Sequence, residues 1–175
     1  MSVTFSAPKL ETERLILRAP DLSDFDALAD FYTSPRAAFV GGPQSRELSW
    51  RALAQEAGHW VLRAFGRWTL IEKDTQAPVG IVGLWHPEGF PERELGWDLF
   101  NGATGKGYAT EAARAARDYA YNTLGWTTLT SLIAVENHNS ARVAERLGAT
   151  YDSDFTHERY GPMQLWRHLG PEALT

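Results

Sequence analysis

The chain is expected to fold as a mixed α/β domain, and three observations carry that expectation. A block of period-two apolar alternation occupies the middle of the sequence, amphipathic helical patterns stand on both sides of it, and a glycine-rich turn lies where the last alternating run gives way to an alanine-rich helix. No repeat, low-complexity segment or linker interrupts the 175 residues, so we read one domain over residues 1–175.

The elements follow in order. Leu15, Ile16 and Leu17 form a short apolar run suited to a strand. In PDLSDFDALADFY, Phe25, Leu28, Ala29 and Tyr32 recur at i, i+3, i+4 and i+7, with Ser23 ahead of them as N-cap. A Gly-Gly-Pro break at residues 41–43 leads to Ser45 and a second helix with Trp50, Leu53, Ala54 and Ala57 on one face, expected to end near Gly58. RWTLIE, VGIVGLW and ERELGWDLF then read as an antiparallel meander. After the glycine turn, Ala109, Ala112, Ala113, Ala116 and Ala120 form a stripe of small residues on a helix ended by Gly125. TTLTSLIAV is a further strand, NSARVAERLG a short helix with Val143, Ala144 and Leu147 inward, and residues 151–155 and 163–166 supply two last strands.

Composition narrows the function. The net charge of −5, without blocks of like charge, disfavours nucleic acid and agrees better with an amine partner. The absence of cysteine excludes a disulfide scaffold, a thiolate metal site and a thiol nucleophile. The opening MSVTFSAPKLETERL lacks an apolar leader and no apolar run reaches membrane-spanning length, so the expectation is a cytoplasmic protein with no membrane partner.

The stretch NGATGKGYATEA places Gly102, Gly105 and Gly107 between a strand and a helix start, where unpaired amides and the helix dipole receive a phosphate. A Walker A loop fails, because Phe100 stands where its first glycine belongs and Gly107 follows Lys106. A dinucleotide fingerprint fails at Thr110 and in its strand context. A glycine turn that merely joins strand to helix is the plain competing reading.

TGKGYATEA resembles the acetyl-coenzyme A loop of the GNAT N-acetyltransferase superfamily, more narrowly its RimJ/RimL-type branch. LETERLILR at residues 10–18, ERELGW and ENHNSARVAERLGA resemble three further segments of that branch in the same order, so the likeness spans roughly residues 10–155. It implies a central, mostly antiparallel sheet whose fourth and fifth strands splay apart, with acetyl-CoA as co-substrate and no metal. The amides of Gly105, Lys106, Gly107, Tyr108 and Ala109, with Thr110 alongside, would cradle the pyrophosphate. Backbone near Leu99 and Phe100 would pair with the pantetheine arm, and Asn137 would hydrogen-bond it. Thr104 stands where the family often has Gln or Arg. The acceptor would be a primary amine, a protein N-terminus or a small molecule, and members often pair as homodimers. A coenzyme A-binding module without turnover and a cofactor-free interaction domain are the alternatives.

Transfer from a thioester to an amine needs a neutral amine and a leaving thiolate. The resemblance implies Glu94 as base, against the reading of a solvent-facing strand glutamate, with Asp98 and His86 as rivals. Ser140 is the remaining donor for the thiolate, because Ala144 occupies the usual tyrosine position. Asn139 is read as the cap of the last helix, Lys106 and Glu111 as solvated, and none of the seven tryptophans receives a role. The acceptor is expected to meet residues 38–45 and 86–91.

Overall fold

The computed structural model describes residues 7–174, so the first six residues of the segment read as leaderless lie outside it. Eight strands form one sheet in the order β1-β2-β3-β4-β5-β6-β8-β7. They are β1 (Leu10–Glu11), β2 (Leu15–Arg18), β3 (Arg67–Glu72), β4 (Pro78–Trp85), β5 (Glu94–Leu99), β6 (Thr130–Ala134), β7 (Thr150–His157) and β8 (Gly161–Arg167). The helices are α1 (Phe25–Tyr32), α2 (Arg46–Arg63), α3 (Tyr108–Asn122) and α4 (His138–Arg146). A two-residue strand ahead of the expected first one makes the ERELGW strand the fifth here, so the splay falls between β5 and β6.

Alternation along β4 explains the two layers. Val82 and Leu84 join the core beneath α3, whereas Ile81 joins Leu28, Phe31 and Leu53 beneath α1 and α2. The alanine stripe of α3 is buried as expected, and these small side chains let the helix lie close on β4 and β5.

Three local readings need correction. Asp21, not Ser23, caps the approach to α1: it accepts from the Ser23 amide and opens a short 3-10 turn at Leu22–Asp24. Helix α2 passes Gly58 and runs to Arg63, and Trp50 points to solvent while Ser49, Leu53, Glu56, His59 and Trp60 are buried. The face is set by buried polar partners that apolar periodicity does not register: His59 lies against the Phe65 carbonyl (2.6 Å) and Trp60 Nε1 donates to that of Arg67 (2.8 Å). Asn137, not Asn139, caps α4, its Oδ1 accepting from the Ser140 amide at 3.3 Å. Ser45 does cap α2.

All neighbouring strands are antiparallel except β5 and β6, whose parallel pairing is confined to Glu94 opposite Thr130. One residue further on, Ser131 Oγ donates to the Leu95 carbonyl (2.5 Å) and lies 2.8 Å from His168 Nε2. Burial pushes the His168 ring down to about 3, so it is neutral, and the donor geometry puts its proton on Nε2. A side-chain hydroxyl thus takes the carbonyl that a ladder amide would otherwise meet, and the strands part beyond it. Among the described residues no helix is long and apolar enough to cross a membrane.

Candidate active site

The parting of β5 and β6 opens a cleft enclosing about 900 Å³, its solvent mouth included. Glu94, Gly96 and Asp98 line it from β5, residues 131–134 line it from β6, and Asn137 and Ser140 from the start of α4. The two residues expected to do chemistry therefore line one cavity, although they lie far apart in the sequence.

Glu94 is half-buried, and its Oε2 is enclosed without a hydrogen-bond partner. Desolvation pushes its carboxyl up to about 8; Asp98 adds to the rise, and Arg67 and a hydrogen bond from the Leu132 backbone oppose it. A Cβ on Gly96 would stand 2.9 Å from Glu94 Oε1, so this glycine makes room for the carboxyl.

Arg67 organises the floor. Arg67 on β3, Gly83 on β4 and Gly96 on β5 are in register across three strands, and the two glycines leave a side-chain-free path along which the arginine reaches β5. Its guanidinium donates to Asp98 (2.8 Å) and to both oxygens of Glu56, and lies 4.7 Å from the centre of the Trp85 ring. Burial opposes the arginine's charge, but Glu56 and Asp98 outweigh it and hold the pKa far up. Asp98 is therefore part of an ion-paired floor, which fits it poorly to act as a free base. His86 does not line the cleft; its backbone amide donates to His59 Nε2 at 3.0 Å.

Ser140 Oγ accepts from Trp97 Nε1 at 3.3 Å, which leaves its hydroxyl hydrogen free to turn into the cleft. Ala144, at the vacant tyrosine position, is fully buried. Phe39, Val40, Gln44 and Phe90, from the loops expected to meet an acceptor, line the outer cleft.

The glycine turn lies at the N-terminus of α3. Gly107 has φ +83 and no side chain caps the helix, so its first amides stay open. Gly105, Lys106, Gly107 and Thr110 border a shallow depression with Arg14, Arg114 and Arg146. Tyr108 and Ala109 are buried, and the Tyr108 hydroxyl donates to Glu72. Glu111 is not solvated as expected. It accepts from Thr12 Oγ1 (2.6 Å), the Arg14 amide (2.9 Å) and Arg14 Nε (2.7 Å), tying the β1–β2 turn to α3. Lys106 is half-exposed, 3.5 Å from Glu72. Arg14, which the sequence reading passed over, stands beside Gly107, its Nη2 3.4 Å from where a Cβ would be. The Leu99 carbonyl accepts from Arg36 (2.9 Å), the Phe100 amide donates to Val79 (2.9 Å), and neither residue lines the cleft.

This cleft and turn sit in a chain whose residues 14–150 match the model of the acetyltransferase (GNAT) domain. The protein belongs to the GNAT acetyltransferase family, and it is an enzyme of that class. It is 39% identical to an acetyltransferase from Agrobacterium tumefaciens, over 96% of this chain and 98% of that one, with a TM-score of 0.85. An uncharacterised N-acetyltransferase of Bacillus licheniformis is 28% identical over 147 residues, 79% of this chain and 80% of the relative. A ribosomal-protein alanine acetyltransferase from Vibrio fischeri shares the fold at 17% identity, with a TM-score of 0.72 over 95% of this chain and 98% of that one.

Proposed function

We propose that the protein, as one domain, transfers the acetyl group of acetyl-CoA to a primary amine by direct attack in a ternary complex, as a RimJ/RimL-type member of its family. The observation that carries this reading is the convergence, at the β5–β6 splay, of a desolvated Glu94 and a free Ser140 hydroxyl in one cleft. Open amides at residues 105–110 suit a pyrophosphate, because a helix N-terminus supplies both donors and a positive dipole end. Thr104 offers no cation there, and Arg14 stands in its stead. The pantetheine arm would lie against the parted edge of β5 along residues 95–98, with Leu99 and Phe100 bounding its path. Asn137, whose Oδ1 caps α4, keeps its amide hydrogens for the arm.

Glu94 takes the proton that the amine loses as the carbon–nitrogen bond forms. When the carbon–sulfur bond breaks, the leaving thiolate is met by the Ser140 hydroxyl, which stabilises sulfur or relays a proton from water. A base held near 8 suits an amine of comparable pKa, since transfer is efficient when donor and acceptor are close. The test is thiol release from acetyl-CoA against a panel of amines and N-terminal peptides, with the acetylated product identified by mass. Tight coenzyme A binding with no thiol release for any amine would instead make this a binding module.

A further inference from the structure

The outer end of the cleft carries a charge that acetyl transfer does not use. Three distant segments meet there: Gly41 after the 3-10 turn Pro35–Val40, Phe90 before β5, and Arg159 with Tyr160 between β7 and β8. A Cβ on Gly41 would stand 3.0 Å from Tyr160 Cε1 and 3.5 Å from Arg159 Nη2, and Phe90 packs edge-on against His157 (5.1 Å) and Tyr160 (6.5 Å). The Arg159 guanidinium lies 5.4 Å from the centre of the Tyr160 ring, while the amides of Arg159 and Tyr160 both donate to His157 Nδ1 (3.0 and 3.4 Å). The arginine is therefore held at the rim, and no carboxylate among the described residues pairs with it.

The inner end has the opposite sign. Glu56 and Asp98 share one arginine, Arg67, so two carboxyl groups face a single cation there, and Glu94 brings a third carboxyl that is charged when ionised. One cleft thus runs from negative beside the reacting groups to positive at its rim. A plain alkylamine complements only the inner end, whereas a zwitterion complements both.

We propose that the acceptor is a small amine that also carries a carboxylate, bound with its amine toward Glu94 and its carboxylate on Arg159. The inference deepens the acetyl-transfer reading and rests on it. The probes are ω-amino acids with two to five methylenes, each compared with the alkylamine of equal chain length. Both keep an amine of pKa near 10.4, so the carboxylate is the working difference. Thiol release is measured together with calorimetry of each probe in the presence of coenzyme A. The expected result is a kcat/KM at least about tenfold higher for the amino acid at the best length, carried by KM, as a charge-assisted bidentate contact supplies. Arg159→Gln should bring that ratio toward one, and Arg159→Lys should restore part of it. A ratio of one or below in the unaltered enzyme, or one that survives Arg159→Gln, overturns the proposal. Equal turnover of both probe series leaves acetyl transfer standing and removes the carboxylate site. Arg159-dependent binding of amino acids without thiol release does the reverse, and failure of every amino acid to bind overturns the proposal outright.

Discussion

Replacing Glu94 by Gln should make the protein more stable at the pH where it makes it less active. The carboxyl is held at about 8 against an ordinary 4.5, a difference of about 3.5 units, or about 5 kcal/mol at 1.36 kcal/mol per unit. The folded chain keeps a proton that the unfolded chain has released between about pH 4.5 and 8. Folding stability therefore falls as pH rises through that window, is untouched below it, and bears the whole cost above it. Glutamine has nearly the shape of the neutral acid and never ionises. The variant should match the parent near pH 4.5 and gain about 1.4 kcal/mol per pH unit, reaching about 3 kcal/mol at pH 7. The gain at pH 9 has about 5 kcal/mol as its ceiling, because water entering the cleft relieves part of the cost. Urea unfolding followed by circular dichroism at about pH 5, 7 and 9 measures this directly. In kinetics, about one parent molecule in ten carries an ionised Glu94 at pH 7, so kcat/KM should rise toward an inflection near pH 8. Glu94→Gln should lower kcat by roughly two to four orders and lose that inflection. A stability difference that stays constant from about pH 5 to 9 would refute the desolvation argument, and a surviving inflection with full turnover would remove Glu94 from catalysis.

Three further outcomes are expected. Gly107→Asp puts a charge against the pyrophosphate at a left-handed residue, so acetyl-CoA affinity by calorimetry should fall at least about a hundredfold, with about 1–2 kcal/mol of backbone strain. Gly107→Asn, with the same strain and no charge, should lose much less, and equal losses would point to geometry alone. Ser140→Ala keeps the Asn137 cap and forfeits the Trp97 hydrogen bond, so stability should drop by about 1 kcal/mol while kcat falls ten- to a thousandfold; an unchanged kcat would leave solvent as the acid. Arg67→Met leaves Glu56 and Asp98 buried without their cation, which should cost about 3–5 kcal/mol in urea unfolding, and it removes the charge that holds the Glu94 pKa down. A Glu94 titration that does not move upward in that variant would contradict the coupling.

The elements whose information is local were legible in the chain itself. Period-two apolar runs placed β3, β4 and β5, the alanine stripe placed α3, and the unfavourable backbone angle at Gly107 was foreshadowed by its residue type. The misreadings share a cause. Asn137 and Asn139 are equivalent as cap-forming residues, and the choice depends on where β6 delivers the chain to the helix. Glu56 and Arg67 carry no local mark of burial, because charged side chains are usually exposed and only the fold encloses these two against each other, and Glu111, expected to be solvated, is covered by the β1–β2 turn. Arg159, far along the chain from the glycine turn and from Glu94, had no local pattern to mark it.

The amino-acid sequence by itself determined the order of the helices and of every strand but the two-residue β1, the glycine turn ahead of α3, and the family. The elements and the turn depend on backbone preference and on apolar spacing within about a dozen residues, which short-range interactions decide, whereas the family rests on the resemblance of four short motifs in order. Only the tertiary structure decided which carboxylate is desolvated and which is paired. Glu94 and Asp98 lie four positions apart on one strand, yet Arg67 reaches across two glycines to neutralise Asp98 and leaves an oxygen of Glu94 enclosed without a partner. The energy of a charge depends on the solvent and counter-charge around it in space, and those are set by strands brought together from distant parts of the chain.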